Sequence, residues 1–310
     1  MFAPTPHPTP PTAASSPSHH RPHAWIPLAL LEARPVVQVV FLLRFAVGAR
    51  LAPRPEGSSW PHPFAVLAWW LAVVAVYLLN GVMDYGEDIA NHSQRPIARG
   101  ALPRSVAAAL AAGAAIASMA CSITAPGLVL CAAMFLALGW AYSSPPWASK
   151  RTSGTSALTV LGLGLSTYIG GWAAVGGRIG PGALVFATAG SVWMAGVGAL
   201  LKDLSDIPGD QAAGRRTIAV RWGPDTARVV ATAAALGVGC LGVAASLIWA
   251  PRTLAGTLPF LAGGLWLGWS STRSSAPPDP GGGRDAQRSP YRAFMITQYA
   301  ANLLMLAVLA

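Results

Sequence analysis

The sequence predicts an all-α membrane protein, and its composition and the lengths of its apolar runs carry that prediction. Of the 310 residues, 53% are hydrophobic and only 10% are charged, and the mean hydropathy is +0.48. A soluble globular chain carries about 25% charged residues, so the composition excludes that class. A helix needs about 17–25 apolar residues to cross a bilayer. Nine runs of this kind lie at roughly residues 35–52, 63–80, 104–122, 125–142, 156–176, 182–201, 226–249, 254–271 and 291–310.

The chain is expected to consist of a tail and one membrane domain. Residues 1–24 are rich in Pro, Ser and His and lack the apolar stretch of a signal peptide, which indicates a disordered tail. Residues 25–310 form the predicted membrane domain. Within it, the segment at about 272–290 is rich in Gly, Ser and Pro, so we expect a flexible loop there.

The basic residues predict the orientation in the membrane. With nine spans, sixteen of the 21 Lys and Arg residues lie on one side and four on the other, while Arg44 falls inside the first span. Loops rich in Lys and Arg stay in the cytoplasm. We therefore expect a multi-pass protein of the inner or plasma membrane with a cytoplasmic N-terminus. The net charge of +10 does not indicate a nucleic-acid partner, because the basic residues are scattered between apolar runs.

Six of the eleven acidic residues fall in two short segments on the predicted cytoplasmic side. The first acidic cluster lies in "NGVMDYGEDIANHSQRPIARG", after the second span, and consists of Asp84, Glu87 and Asp88. The second lies in "KDLSDIPGDQAAGRRTIAVRWG", after the sixth span, and consists of Asp203, Asp206 and Asp210. A helix continuing from the second span would place Asn80, Asp84 and Asp88 on one face, because they are four residues apart.

The negative charges of these carboxylates need a positively charged partner, because placing a charge near the membrane core costs roughly 2–3 kcal/mol of free energy. The donors are oxygen atoms, which favour Mg²⁺ over Zn²⁺. Mg²⁺ commonly binds one or two carboxylates together with substrate phosphates. Five basic residues surround the clusters and can neutralise phosphate oxygens: Arg95, Arg99, Lys150, Lys202 and Arg215. The pattern predicts a Mg²⁺–diphosphate site at the membrane surface, suited to an isoprenyl diphosphate whose tail lies among the helices.

Three motifs and an entry segment resemble those of the UbiA-type intramembrane prenyltransferases. "NGVMDYGED…RPIARG" resembles NDxxDxxxD…RPxxxG, and "KDLSDIPGD" resembles the second motif, DxxDxxxD. "YSSPPWASK", from Tyr142 to Lys150, is similar to YSxPPxxxK, and "EARPVV" is similar to the segment that enters the first span. The resemblance covers about residues 30–310.

The resemblance implies nine transmembrane helices around a central cavity, with a cytoplasmic cap that carries the two Asp-rich motifs. It implies that Asp84 and Asp88 hold one Mg²⁺ and that Asp206 and Asp210 hold a second. Asn80 and Asp203 would assist, Arg95, Lys150 and Lys202 would bind phosphate, and Tyr142 would lie near the allylic carbon. Tyr168, Trp172 and Trp193 are further candidates for stabilising an allylic cation through their ring faces.

The implied reaction transfers a prenyl group, of geranyl to geranylgeranyl length, from its diphosphate to an aromatic or quinone-like acceptor. Three departures from the family pattern, Gly81, Pro208 and Gln211, place the chain away from the ubiquinone and menaquinone branches and indicate specialised metabolism. Pro208 predicts that Asp210 lies on a turn and not on the same helix as Asp206. The spacing of Glu87 favours a surface residue over a metal ligand.

Two other functions compete with transfer to an acceptor. A terpene cyclase of the same superfamily would capture the cation with alkenes of the prenyl chain itself, and the sequence does not exclude it. A transporter or channel would carry charges in mid-span, whereas the acidic clusters lie at span ends and Arg44 is the one strong mid-span charge.

Overall fold

The computed structural model describes residues 25–53, 61–273 and 284–310, and in these ranges the regular structure is helical. The all-α prediction is therefore confirmed, while the predicted tail at 1–24 lies outside the described residues. The helices are α1 (Trp25–Glu32), α2 (Pro35–Leu51), α3 (Pro63–Met83), α4 (Tyr85–Ala90), α5 (Arg104–Ser122), α6 (Pro126–Ser143), α7 (Ser153–Ala174), α8 (Pro181–Trp193), α9 (Ala199–Asp203), α10 (Ile207–Ala212), α11 (Ile218–Trp249), α12 (Leu254–Arg273) and α13 (Arg284–Val308).

Among the described residues, six helical segments are long and apolar enough to cross a membrane. They are Pro63–Met83, Arg104–Ser122, Pro126–Ser143, Ser153–Ala174, Pro181–Asp203 and Ile218–Trp249. A seventh span results if α1 and α2, which meet at 67°, cross together. The fold is thus a multi-pass helical one. Helices occupy all nine predicted positions. The count of nine membrane spans is nevertheless not confirmed, because α2 is short and α12 and α13 are less apolar.

The helix boundaries follow local sequence signals. Proline opens α2, α3, α6 and α8, where its missing N–H costs no hydrogen bond. Small residues then let two helices approach closely: a Cβ atom on Gly171 would lie 2.1 Å from the Phe45 carbonyl oxygen. Close contact of this kind between α2 and α7 replaces the hydrophobic driving force that lipid does not supply.

Three of the long helices are interrupted at a specific residue or turn. α3 ends at Met83, and α4 begins one residue later, after Asp84. Between α8 and α9 the chain forms a π-helical turn, Met194–Gly198. α11 is broken at Gly223, whose φ of +86° favours glycine.

Helices cover the two ends of the segment predicted as a flexible loop at about 272–290. α12 reaches Arg273 and α13 already begins at Arg284, so the helices cover both ends of the expected loop. The polar run from Arg284 lacks an apolar pattern, but Arg, Ala and Gln are good helix formers. Residues 274–283 lie outside the described residues.

Candidate active site

The two acidic clusters lie side by side because α4 packs against α10. The Gly209 N–H donates a hydrogen bond to Asn91 Oδ1 at 2.8 Å. A Cβ atom at position 209 would lie 2.3 Å from Asn91 Nδ2 and 2.7 Å from the Glu87 carbonyl oxygen. Glycine at 209 therefore allows the contact that joins the clusters. Sequence reasoning missed Asn91, although it lies only three residues after Asp88.

Arg215 connects the clusters through its guanidinium group. It contacts Asp84 Oδ1 at 3.3 Å and Asp210 Oδ1 at 3.1 Å, and it also pairs with Glu87. Lys150 pairs with Asp84, and its Nζ lies 3.8 Å from Glu87 Oε2. Since Asp84, Asp210, Lys150 and Arg215 are all buried, these side chains form one compact network of opposite charges.

The network changes the pKa values of its carboxyl groups in opposite directions. Burial works to raise the pKa of Asp84, but the charges of Lys150 and Arg215 outweigh it and lower the pKa to about 2. Burial, with the negative charge of Asp84, raises the pKa of Glu87 to about 7. Burial also raises the pKa of Asp210, although Lys202 and Arg215 oppose the shift. Asp84 is therefore the firmly anionic member of the group.

A second ion-pair group surrounds Arg95. Its Nη1 lies 2.8 Å from Asp88 Oδ2, and its Nη2 lies 2.6 Å from Glu32 Oε1. Glu32, at the end of α1, is fully buried and also accepts a hydrogen bond from the Ile97 N–H at 3.0 Å. A Cβ atom on Gly81 would lie 2.3 Å from Glu32 Oε1. The Glu32 carboxylate thus fills the space next to residue 81, and sequence reasoning missed it although it stands in "EARPVV".

The second cluster is spread over the end of α9 and the start of α10. Asp203 is the last residue of α9, and Asp206 precedes α10. Lys202 Nζ lies 3.3 Å from Asp206 Oδ2. Burial opposes ionisation of Asp206, but the charges of Lys202 and Arg34 outweigh it and lower its pKa. Asp206 is therefore anionic beside two basic side chains.

Asp210 does not lie on a turn, contrary to the prediction from Pro208. It lies on α10, and its N–H donates to the Asp206 carbonyl oxygen at 2.9 Å. Pro208 occupies the first turn of this short helix, where no N–H is required. The proline therefore helps to start a new helix after the break at Asp206.

The surface position predicted for Glu87 is wrong. Its side chain is only 18% exposed, because it pairs with Arg215 and Lys150.

Asn80, Asp84 and Asp88 remain linked by backbone hydrogen bonds, from Asp84 N–H to Asn80 O and from Asp88 N–H to Asp84 O, each 2.8 Å. Their side chains nevertheless reach different partners: Asn80 donates to Ser143, Asp84 pairs with Lys150, and Asp88 pairs with Arg95.

Two adjoining cavities lie at the clusters. A polar cavity of about 920 Å³ is lined by Asp88 and Asp206 together with the basic side chains of Arg34, Arg95, Lys202, Arg288 and Arg292. An apolar cavity of about 110 Å³ lies among the spans, with Asn80 and Tyr142 in its wall. Arg34, Lys202 and Tyr291 line both cavities. The arrangement suits a molecule with an anionic head and a narrow apolar tail.

The aromatic residues of the apolar cavity differ from those predicted, apart from Tyr142. Tyr168, Trp172 and Trp193 are buried in the core and are not among its lining residues. Tyr77, Tyr291 and Phe294 line it instead. Position along an apolar helix does not reveal which ring faces a cavity, because every face of such a helix is apolar.

The residues present fit a hard cation by their chemistry. In the described part of the chain no three His, Cys, Asp or Glu side chains gather closely enough to hold a metal ion, since Lys and Arg partners separate the carboxylates. The donors are nevertheless all oxygen atoms, and the buried Asp210 Oδ2 has no hydrogen-bond partner. Asp88 and Asp206 also face the polar cavity. Oxygen donors of this kind are those that Mg²⁺ prefers.

The fold and site together define a multi-pass helical protein in which a polar cavity lined by carboxylates and basic side chains adjoins an apolar one. The profile of the UbiA prenyltransferase family matches residues 41–281, and the chain belongs to this family. The resemblance to this family is thereby confirmed, and so is the enzyme class, a prenyltransferase.

The relatives include two kinds of prenyltransferase. The digeranylgeranylglyceryl phosphate synthase of Halobacterium salinarum is 32% identical over 205 residues, which make up 66% of this chain and 72% of that one. The 2-acylphloroglucinol 4-prenyltransferase of Humulus lupulus is 28% identical over 214 residues, or 65% of this chain and 52% of that one. The names describe different acceptors, so similarity alone does not select one.

Solved structures support the fold. A UbiA homologue from Archaeoglobus fulgidus, bound to DMAPP and Mg²⁺, matches with a TM-score of 0.67 and 18% identity, covering 91% of this chain and 98% of that one. An apo UbiA homologue from Aeropyrum pernix K1 matches with a TM-score of 0.57 and 21% identity, covering 88% and 97%. At these identities the likeness concerns the fold.

Proposed function

We propose that the protein transfers a prenyl group from an isoprenyl diphosphate to an aromatic or quinone-like acceptor within the membrane and releases diphosphate. The observation that carries the proposal is the pair of cavities that share Arg34, Lys202 and Tyr291. A diphosphate suits the polar cavity, where basic side chains outnumber carboxylates. An apolar tail suits the adjoining cavity among the spans.

Mg²⁺ is the proposed cofactor, with Asp84 and Asp88 holding one ion and Asp206 and Asp210 the other, assisted by Asn80 and Asp203. When bound, Mg²⁺ would neutralise the diphosphate and so make it a better leaving group. Support comes from the all-oxygen donor set and from the Archaeoglobus fulgidus homologue, whose structure contains Mg²⁺ with DMAPP.

Arg95, Lys150 and Lys202 are proposed to bind the diphosphate oxygens whose negative charge Mg²⁺ does not neutralise. Each already pairs with a carboxylate at the site, so the cations are positioned before substrate arrives. Tyr142 lines the apolar cavity together with Asn80. Its ring face is proposed to stabilise the allylic cation that forms when the C–O bond breaks, by about 0.5–2 kcal/mol.

The proposed membrane arrangement has nine spans around the cavities, with α4 and α10 in a cytoplasmic cap and a cytoplasmic N-terminus. The excess of basic residues around both acidic clusters supports this orientation. The same arrangement places the diphosphate head at the aqueous surface and the tail in the bilayer interior.

The experiment that tests the function compares products with and without acceptors. Purified protein in lipid is incubated with Mg²⁺ and labelled geranyl diphosphate, together with phenols, quinone precursors or a glyceryl phosphate lipid. We expect an adduct with an aromatic acceptor, absent in the Asp84→Ala/Asp206→Ala variant. An adduct only with the glyceryl lipid would correct the acceptor class.

Terpene cyclase activity is the second candidate, because the family motifs serve both reactions. It predicts a hydrocarbon or terpene alcohol from the labelled diphosphate alone, without an acceptor. If such a product forms and is lost in the same double variant, the reaction is cyclisation and not transfer, and the proposed metal site is still required.

A further inference from the structure

Arg44 is a buried cation that the proposed reaction does not use. It is fully buried in α2. In the described part of the chain no carboxylate forms an ion pair with it, and its partners are neutral. Its guanidinium donates to Gln298 Oε1 at 2.7 Å, to the Gly190 carbonyl oxygen at 3.2 Å and to Met194 Sδ. Burying a charged side chain inside a membrane span costs free energy, so the presence of Arg44 indicates a specific role.

Arg44 lies directly behind the wall of the apolar cavity. Met194 and Gln298, which accept its hydrogen bonds, both line that cavity, and so does Phe41, whose ring centroid is 5.9 Å from the Arg44 Cζ atom. Met194 also begins the π-helical turn Met194–Gly198. Single π-helical turns inside helices frequently occur at functional sites. The three helices α2, α8 and α13 are thus tied together at one point of the cavity wall.

This point is the far end of the cavity from the acidic clusters. Tyr291 lines both cavities, and Gln298 is seven residues further along α13. Tyr142 and Phe135 on α6 are also seven residues apart. At a rise of 1.5 Å per residue, seven residues correspond to a depth of about 10 Å.

A depth of about 10 Å corresponds to two isoprene units. Three backbone bonds span 3.8 Å, or about 1.3 Å per bond, so the four chain bonds of an isoprene unit extend about 5 Å. The narrow volume of the cavity, about 110 Å³, agrees with a short chain.

We infer that Arg44, Met194 and Gln298 form a hydrogen-bonded floor that limits the prenyl donor to about ten carbons. A longer chain would have to displace this floor and leave the buried guanidinium and amide groups without partners, which an apolar tail cannot replace. A floor of leucines would simply repack. The inference rests on the proposed function, since it concerns the tail of the proposed donor.

The test measures binding, so that no acceptor is needed. Prenyl thiolodiphosphates of five, ten, fifteen and twenty carbons are titrated with Mg²⁺ into the purified protein. For the wild type we expect the tightest binding at ten carbons, and binding at least about tenfold weaker at fifteen, because poor fit of even one methylene costs about 10–200-fold. Met194→Ala and Gln298→Ala each shorten a floor side chain and should recover binding of the fifteen-carbon analogue.

The matched control is Met134→Ala, since Met134 is 53% exposed on α6 and does not line the cavity. It should leave the length profile unchanged. Arg44→Met, which keeps the length of the side chain but removes its donors, should also extend the accepted length. Equal or tighter wild-type binding of the fifteen- and twenty-carbon analogues would overturn the floor but not the function. Failure of every analogue to bind would overturn both.

Discussion

At the scale of single residues, Gly81 and Glu32 act as a pair. The family motif that the chain resembles usually has an acid or amide at the position of Gly81. Here the carboxylate of Glu32 approaches from α1 and pairs with Arg95, and a Cβ atom at 81 would collide with it at 2.3 Å. The glycine that departs from the motif therefore makes room for a carboxylate from elsewhere in the chain.

We predict that Gly81→Ala destabilises the protein by about 1–3 kcal/mol, since the added methyl group overpacks a buried ion pair. Thermal unfolding in detergent measures the change. Gly86→Ala is the matched control, because a Cβ atom there meets nothing within 4 Å. Adding Glu32→Ala should give a total loss smaller than the sum of the single losses. Additive losses would show that the two sites do not interact.

A second prediction at this scale concerns Asp206, which is half-buried beside Lys202 and faces the polar cavity. Asp206→Asn should lower turnover by about 10²–10³-fold, because a neutral amide stabilises developing charge less well through a metal. Asp225→Asn provides the control, since the Asp225 side chain is 91% exposed. Similar rates for the two variants would remove Asp206 from the site.

At the scale of helices, two short ones, α4 and α10, carry or adjoin the proposed metal ligands. α4 and α10 have six residues each and lack buried apolar faces of their own. Their positions are fixed by the Asn91–Gly209 hydrogen bond and by Arg215. Such helices gain stability from tertiary contacts and not from their own propensity.

Asn91→Ala should therefore loosen α10 by leaving the buried Gly209 N–H without an acceptor, at a cost of about 1–3 kcal/mol. Hydrogen exchange of residues 207–212 should speed up, and Mg²⁺ affinity should fall. Gln211→Ala, an exposed change on the same helix, should alter neither quantity. Unchanged exchange in Asn91→Ala would mean that this contact does not join the clusters.

The sequence predicts the long helices well and the short segments that follow them poorly. Apolar runs correctly placed the helices from α5 to α8, because a bilayer-length run has few alternatives to a helix. The break at Asp84 and the helical position of Asp210 were not predictable, since each depends on partners that are distant in sequence. The same reason explains why Glu32 and Asn91 were missed and why Glu87 was assigned to the surface.

At the scale of the whole molecule, the proposed membrane arrangement places both acidic clusters on the cytoplasmic side. After replacement of Cys121, Cys131 and Cys240 by alanine, single cysteines at the exposed positions Gln211 and Arg178 report the two sides. A membrane-impermeant maleimide should label Arg178→Cys in intact cells and Gln211→Cys only after permeabilisation. The reverse pattern would contradict the orientation derived from the basic residues.

The central claim is that Mg²⁺ joins the carboxylates of both clusters to a prenyl diphosphate. Calorimetric titration of geranyl thiolodiphosphate, with Mg²⁺ or with EDTA, tests it most directly. We predict that Mg²⁺ tightens binding by at least about 100-fold, that the analogue tightens Mg²⁺ binding by the same factor, and that Asp84→Ala/Asp206→Ala abolishes the coupling. Equal affinity with Mg²⁺ and with EDTA, or coupling that survives in the double variant, would contradict the account.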